Sequence, residues 1–266
     1  MPRDKPERDT RQKTESDVAS MSETAQAPLD RARYAVRVAR SGPDVGAALK
    51  LRGRIFRGGA PDADAFDPRA RHLVVRDRQR GAVVATCRVL MLADGRAARL
   101  GYCGRHYGLA PLATIAAPIL ELGRFCLAPA VRADPDVPRL MLAQVAALVE
   151  QTGARLLMGC SSFPGAQPQR HAAALAWLGA HALAPASLAP RPVAPETTPV
   201  ASAARPSPRG LPPLLRSYLA LGGRVSDHAV IDRDLDTLHV LTLVDTETIP
   251  PARKTRLRAL AASATG

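Results

Sequence analysis

Aromatic side chains are scarce in this chain, only 3% of its 266 residues. A core must therefore rest on Leu, Val, Ala and Ile, and hydrophobic residues at 46% are numerous enough to build one. The length suits one large domain, or one domain with appendages. Few aromatics also argue against a surface that stacks bases. The arginines are spread along the whole chain rather than gathered in a stripe, so no specific nucleic-acid partner is expected. No apolar run is long enough for a transmembrane helix, and the charged N-terminus holds no apolar secretion core. We therefore expect a cytoplasmic protein. No two of the four cysteines (Cys87, Cys103, Cys126, Cys160) have metal-ligand or redox spacing, so reduced core thiols are expected, and Cys160 and the neighbouring Met158 read as core. The six histidines are scattered, and no metal site is expected. Acidic residues are in the minority: 37 Lys and Arg against 24 Asp and Glu give a net charge of +13. A surplus of that size reflects plain solubility or a polyanionic partner, such as an anionic membrane surface or an acidic protein.

Residues 1–30 are polar and mixed in charge and read as a disordered tail. Order should begin with Arg33–Arg40, which alternates like an edge strand. Asp44 can cap a helix over Val45–Phe56, and a Gly/Pro/Asp loop follows from Gly58 to Pro68. His72–Arg76 and Ala82–Met91 read as a hairpin around Asp77–Gly81. A short helix is expected near Leu109–Ala116, then a central strand over Ile119–Leu127. Pro138–Gly153 has helical spacing and a glycine stop. Arg155–Ser161 reads as a strand and Gln167–Leu183 as a second amphipathic helix. A strand, a helix and a strand in that order suggest a crossover within an α/β sheet. Nine prolines between Pro185 and Pro213 mark a long irregular loop. The helix Leu214–Leu221 and two strands, Arg224–Ile231 and Thr237–Val244, complete one domain over 31–248. A basic tail at 249–266 carries Arg253, Lys254, Arg256 and Arg258, and a frayed solvated end is the slightly preferred reading.

Charge recurs beside apolar residues at four separated places: Arg52-Gly-Arg-Ile-Phe56, Asp64-Ala-Phe-Asp67, Arg88, and Glu121-Leu-Gly-Arg124. Arg88 and Glu121 lie inside strands that otherwise read as core, where a charge is costly unless paired. A buried ion-pair network without catalysis would account for them, and so would an active site. Ser161 and Ser162 have no Gly-x-Ser-x-Gly elbow and no His-Asp arrangement, so direct transfer is preferred to a serine nucleophile.

The order and spacing of that cluster resemble the acyl-homoserine-lactone synthases, members of the GNAT superfamily. The resemblance implies a twisted mixed β-sheet flanked by helices, splayed at the Glu121 strand. The second half, with Gly159-Cys-Ser-Ser-Phe-Pro-Gly165, Leu211–Gly223, Val225–Asp232 and Asp236–Val240, resembles instead the ornithine N-acyltransferases of ornithine-lipid synthesis. These move a 3-hydroxyacyl chain from acyl carrier protein to the α-amine of ornithine, which makes lyso-ornithine lipid the expected product.

On that resemblance Glu121 takes a proton from the attacking amine, or else only holds Arg88 or Arg124. Arg88 meets the substrate carboxylate or neutralises Glu121. Asp64 and Asp67 hold the substrate's side-chain ammonium or fix Arg52, and Arg52 and Phe56 complete the acceptor site. Arg124 poses a geometric problem: positions three apart on a regular strand face opposite sides, so a bulge is required, and Gly123 would suit one. The pieces depart from GNAT enzymes at Pro129–Arg139, which has no glycine with which to grip a CoA pyrophosphate. No separate cofactor is expected; the donor would be a 4′-phosphopantetheine thioester on acyl carrier protein, met by Arg132 and Arg139 and steered by the net positive charge. The Pro-rich loop and Leu214–Leu221 would cover the acyl chain, and the basic tail would touch the inner membrane peripherally. A lactone synthase, an acetyl-CoA-dependent N-acetyltransferase and a non-enzymatic basic membrane- or nucleic-acid-binding protein are the alternatives. The first lacks its usual tryptophan after Phe56, since Trp177 is the sole one.

Overall fold

A computed structural model describes residues 33–39, 42–201 and 204–264; the expected tail at 1–30 lies outside them. Alternating apolar residues and the Asp77–Gly81 turn form the hairpin β2 (Arg71–Asp77) and β3 (Ala82–Leu92). Both strands are buried on both faces over most of their length. β1 (Tyr34–Val38) adds an antiparallel edge to β2, as its alternation suggested. The Glu-bearing strand β5 spans Ile119–Leu127, pairs antiparallel with β3, and pairs parallel with β6 (Leu156–Pro164). Three further strands, β8 (Thr197–Pro199), β9 (Arg224–Asp232) and β10 (Thr237–Asp245), finish an eight-stranded sheet in the order β1-β2-β3-β5-β6-β10-β9-β8. β4 (Tyr107–Gly108) and β7 (Arg191–Pro192) form a separate two-stranded ribbon.

Between β5 and β6 runs helix α2 (Asp136–Thr152), the crossover that a parallel pair requires. Its buried Val137, Leu140, Met141, Val145 and Leu148 cover one sheet face, against Leu73, Val75, Val89 and Leu120. Gly153 ends it in the left-handed conformation at φ 63°. Farther along that face α3 (Ala172–His181) and α4 (Pro213–Ala220) pack on Phe163, Leu238 and Val240. The opposite face carries α1 (Gly42–Phe56) and the irregular 93–118 segment.

Five local expectations change. Asp44 lies within the first turn of α1 rather than before it, because its buried carboxylate accepts from Arg37 and Arg76. The 109–116 helix is a 3-10 turn over Ala110–Thr114, and the helix expected from Gln167 begins as a 3-10 turn over Pro168–His171. The Pro-rich segment supplies β7 and β8, both short edge pieces where proline's missing donor is tolerated. The basic tail forms the helix α5 (Pro251–Ala264), which packs on α2. Beneath α5 lies an apolar cleft of about 270 Å³, lined by Leu142, Val149, Tyr218, Leu221 and Leu257 among others.

β5 and β6 share a ladder only from Ile119 to Glu121, opposite Leu156 to Met158, and then part. Just past the ladder they still approach closely: a Cβ on Gly159 would meet the Leu122 carbonyl oxygen at 2.4 Å. Gly159→Ala must therefore push the strands apart or strain them, and should lower stability by about 1–3 kcal/mol, measured by urea denaturation.

Candidate active site

Three arginines converge on three aspartates of the loop between α1 and β2. Arg52 lies in α1 and is 0% exposed. Its Nε donates to Asp62 at 2.8 Å, and Nη1 and Nη2 donate to Asp67 at 2.6 and 3.2 Å. Arg88, on β3 and also buried, donates through Nη1 to Asp64 at 2.6 and 2.7 Å and to Asp67 at 3.2 Å. Arg124 on β5 donates to Asp62 at 3.0 Å. The loop reaches back because Gly53 admits it: a Cβ there would meet the Ala60 carbonyl oxygen at 2.4 Å. Asp64 and Asp67 then tie the loop to itself, Asp67 accepting from the Asp64 amide and Asp64 from the Phe66 amide. Burial alone would raise all three carboxylates, but the arginines beside them hold Asp62, Asp64 and Asp67 below the ordinary range.

Glu121 has a different environment. It is 3% exposed. Its carboxylate accepts from the backbone amides of Tyr102 at 2.8 Å and Cys103 at 3.0 Å. Among the described residues no arginine bonds to it; Arg88 and Arg124 are committed to the aspartates. Burial therefore dominates and pushes Glu121 up to about 6, against the pull of the two amides. Of the two sequence readings of Glu121, the one in which it merely holds an arginine has no support in these contacts.

Arg124 reaches the same side of the sheet through a bulge. The β3–β5 register shifts between Thr86 and Arg88, which face Cys126 and Gly123, so β5 holds two residues against one. The strained residue is Arg124 itself, at φ 53°, rather than Gly123. A Cβ on Gly123 would make only ordinary contact, 3.7 Å from Arg88 Nη2. The bulge turns Phe125 to the α2 face and leaves Arg124 over the Tyr102 ring, 5.1 Å from its centroid. The Phe56 ring also lies near the Arg124 guanidinium, its centroid 6.0 Å away.

Arg52, Phe56, Asp64, Asp67, Arg88, Glu121 and Arg124 are thus gathered on one face. Arg132 and Arg139 are elsewhere: Arg132 is exposed after a 3-10 turn, and Arg139 pairs with Asp136 at 3.1 Å in the first turn of α2. That helix start is met by the chain's own acids, for the Asp136 amide donates to Asp134. Asp62 escaped the sequence reading although it stands two residues before Asp64; its tie to Arg52, Arg57 and Arg124 could be sensed only from that spacing. Phe66 and Tyr102 also escaped it, as did the two amides on Glu121, for which a sequence carries no signal. β7 of the Pro-rich segment pins the chain beside Tyr107, while α4 lines the cleft across the sheet.

Arg52→Met should cost about 3–5 kcal/mol in urea denaturation, because it leaves Asp62 and Asp67 buried with too little positive charge. The aspartates' folded values lie below their unfolded ones. Their stabilisation is therefore complete above the unfolded range near pH 4 and is lost as pH falls through the depressed folded values. In the wild type the urea midpoint should fall steeply below about pH 4, and in Arg52→Met less steeply.

A family profile described as an acetyltransferase (GNAT) domain matches residues 52–142, from Arg52 into α2. An L-ornithine N(alpha)-acyltransferase of Rhodobacter capsulatus is 35% identical over 250 residues, covering 84% of this chain and 93% of that protein. Another, of Agrobacterium fabrum, is 29% identical over 238 residues, covering 80% of this chain and 81% of the relative. Among solved structures, FeeM, an N-acyl amino acid synthase from uncultured soil microbes, superposes with a TM-score of 0.44 at 11% identity, covering 88% of this chain and 97% of its own. Identity of 35% over 84% of the chain, with a sheet that parts beside a buried glutamate, decides the family: the chain belongs to the L-ornithine N(alpha)-acyltransferases and is an acyltransferase of the GNAT type.

Proposed function

We propose that the protein transfers a 3-hydroxyacyl chain from the phosphopantetheine arm of acyl carrier protein to the α-amine of ornithine, giving lyso-ornithine lipid. The observation that carries the reading is the Glu121 carboxylate: buried, free of arginine and poised near pH 6, in a chain of this family. An amine arrives as an ammonium and must lose a proton before it attacks a thioester. A carboxylate of this kind accepts that proton directly or through water. Arg88 Nη2 is buried without a hydrogen-bond partner among the described residues, so it suits the acceptor's carboxylate. The Asp64 side chain, 20% exposed, is the most open of the three aspartates and suits the acceptor's second ammonium.

The donor lies between the parted strands, where the facing edges of β5 and β6 offer unpaired backbone groups to the thioester and its arm. A carrier-protein donor is favoured over CoA because the start of α2 is already supplied with Asp134 and Asp136 and lacks the glycines that would cradle a pyrophosphate. The exposed Arg132 and the +13 charge favour an acidic carrier protein. No described helix is long and apolar enough to cross a membrane. The basic helix α5 gives the protein a peripheral contact with anionic lipid, near where its product belongs.

Purified protein given 3-hydroxyacyl carrier protein and ornithine should yield the N-acylated amino acid by mass spectrometry, whereas acetyl-CoA or S-adenosylmethionine as co-substrate should yield none. Glu121→Gln should reduce kcat/KM by about 10²–10⁴-fold with the fold retained. Because the base works ionised and its value is raised to about 6, wild-type kcat/KM should fall tenfold per unit below pH 6 and level above it. A wild-type acid limb that survives unchanged in Glu121→Gln would remove Glu121 from the reaction.

A further inference from the structure

Beside Glu121, on the same sheet face, stands a thiol–imidazole pair that the reading above does not use. Cys160 lies two residues past Met158, where the β5–β6 ladder ends, and next to Gly159, which packs on Leu122, so it stands where the strands part. In the β6–β10 ladder Cys160 faces Leu241 and Ser162 faces His239, which makes Cys160 and His239 diagonal neighbours on one face. Glu121 lies opposite Met158 in the β5–β6 ladder and shares that face. The link between the two groups is Cys103: its amide donates to Glu121, and its sulfur lies 3.7 Å from the Cys160 sulfur.

His239 is 2% exposed and oriented from behind. The Tyr107 hydroxyl donates to the His239 carbonyl oxygen at 2.9 Å and lies 3.0 Å from Nδ1. Its one proton being used, the hydroxyl accepts from Nδ1–H. That leaves Nε2 as the working nitrogen, buried and without a hydrogen-bond partner among the described residues. The groups that face the Cys160 sulfur are Tyr102, Cys103, His106 and Tyr107 from the 102–107 segment, His239 from β10 and Glu121 from β5. The Cys103 sulfur lies within hydrogen-bond range of it at 3.7 Å, and the two imidazoles lie nearby. Together they hold the Cys160 thiol below the ordinary range, while the Cys160 sulfur offsets burial and holds His239 above its own. This is the nucleophile, base and orienting group of covalent acyl transfer.

We propose that Cys160 is a nucleophile that carries the acyl chain as a thioester between donor and acceptor, with His239 as its base. The proposal rests on the acyltransferase reading. His239 Nε2 takes the Cys160 thiol proton as the sulfur attacks the donor carbonyl. The carbon–sulfur bond to phosphopantetheine breaks, and the departing thiolate receives that proton. The acceptor ammonium then gives one proton to Glu121 and attacks the acyl-Cys160 carbon. As the C–N bond forms and the C–S bond breaks, the amine's next proton returns through His239 to the Cys160 sulfur, and Glu121 releases its own to water. Every bond broken is matched, and no oxidant or reductant is needed.

The test mixes wild-type protein with 3-hydroxyacyl carrier protein, without amino acid, and reads the intact-protein mass after acid quench. The expected result is a gain of one acyl group, removable by hydroxylamine, mapped to Cys160, and absent from Cys160→Ser. Adduct formation should slow at least tenfold in His239→Gln, and Cys160→Ser should lose at least 100-fold in kcat with an unchanged melting temperature. Wild-type product without adduct, together with wild-type kcat in Cys160→Ser, would overturn the proposal and leave the function standing. No product at all would overturn the function instead. The pH profile of Cys160 alkylation by iodoacetamide, which needs no donor, then decides the pair. A midpoint below that of a free thiol, raised by a unit or more in His239→Gln, supports it; an unshifted profile overturns it.

Discussion

The guanidiniums of Arg52 and Arg88 are buried, and the site follows from satisfying them. An interior cation without carboxylates would cost several kcal/mol. The chain therefore brings Asp62, Asp64 and Asp67 in from one loop, folded back across Gly53. Arg52, Arg88 and Arg124 balance the three carboxylates and join α1, β3, β5 and the loop, and Arg57, paired with Asp234, extends the network from Asp62. Ion pairs of this kind add little stability compared with a well-packed apolar core. Their effect here is positional: they set which way each arginine points, with Arg88 keeping one nitrogen uncommitted.

That commitment also fixes the chemistry of Glu121. A carboxylate next to a free arginine would be held ionised, low and unreactive as a base. Arg88 and Arg124 have aspartates already, so Glu121 meets the cost of burial, two neutral amide donors and the neighbouring cysteines rather than an arginine. The result is a value near 6 rather than below 4, close enough to neutral pH for a base to accept and release a proton within one turnover. The same segment that supplies those amides, 102–103, places the Cys103 sulfur against Cys160, so base and thiol are spaced by one stretch of backbone.

Much of this was legible in the sequence, unevenly. The limits of β5 read from apolar patterning, Ile119–Leu127, coincide with the strand, and Gly153 marked the end of α2 because a left-handed residue there suits glycine. The order of charges from Arg52 to Arg124 announced a buried polar cluster. The partners within it were not legible. Glu121 offered itself to Arg88 or Arg124 on charge alone, and only the fold shows both arginines taken. Asp44 looked like a cap because its partners Arg37 and Arg76 lie 7 and 32 residues away. The Pro-rich segment read as loop because proline weakens any strand pattern, yet edge positions tolerate it. α5 read as a frayed tail because its few apolar residues matter only against α2, which no local pattern reveals. Cys160 and His239 read as core and scatter because they are 79 residues apart and meet only across two strands.

The bulge at Arg124 connects these features. A non-glycine residue in the left-handed region costs about 1–3 kcal/mol, and such strain persists only where the surroundings impose it. On a regular strand Arg124 would point to the α2 face, into packed leucines and valines, with no acid to meet. The extra residue in β5 turns it instead toward Asp62 and Tyr102 and sends Phe125 to that apolar face. A bulge also sharpens local twist, and β5 leaves β6 at this stretch. One inserted residue thus completes the charge cluster and accompanies the opening of the gap between the strands. Glu121, the last β5 residue laddered on both sides, is held between β3 and β6 at the point where the gap begins.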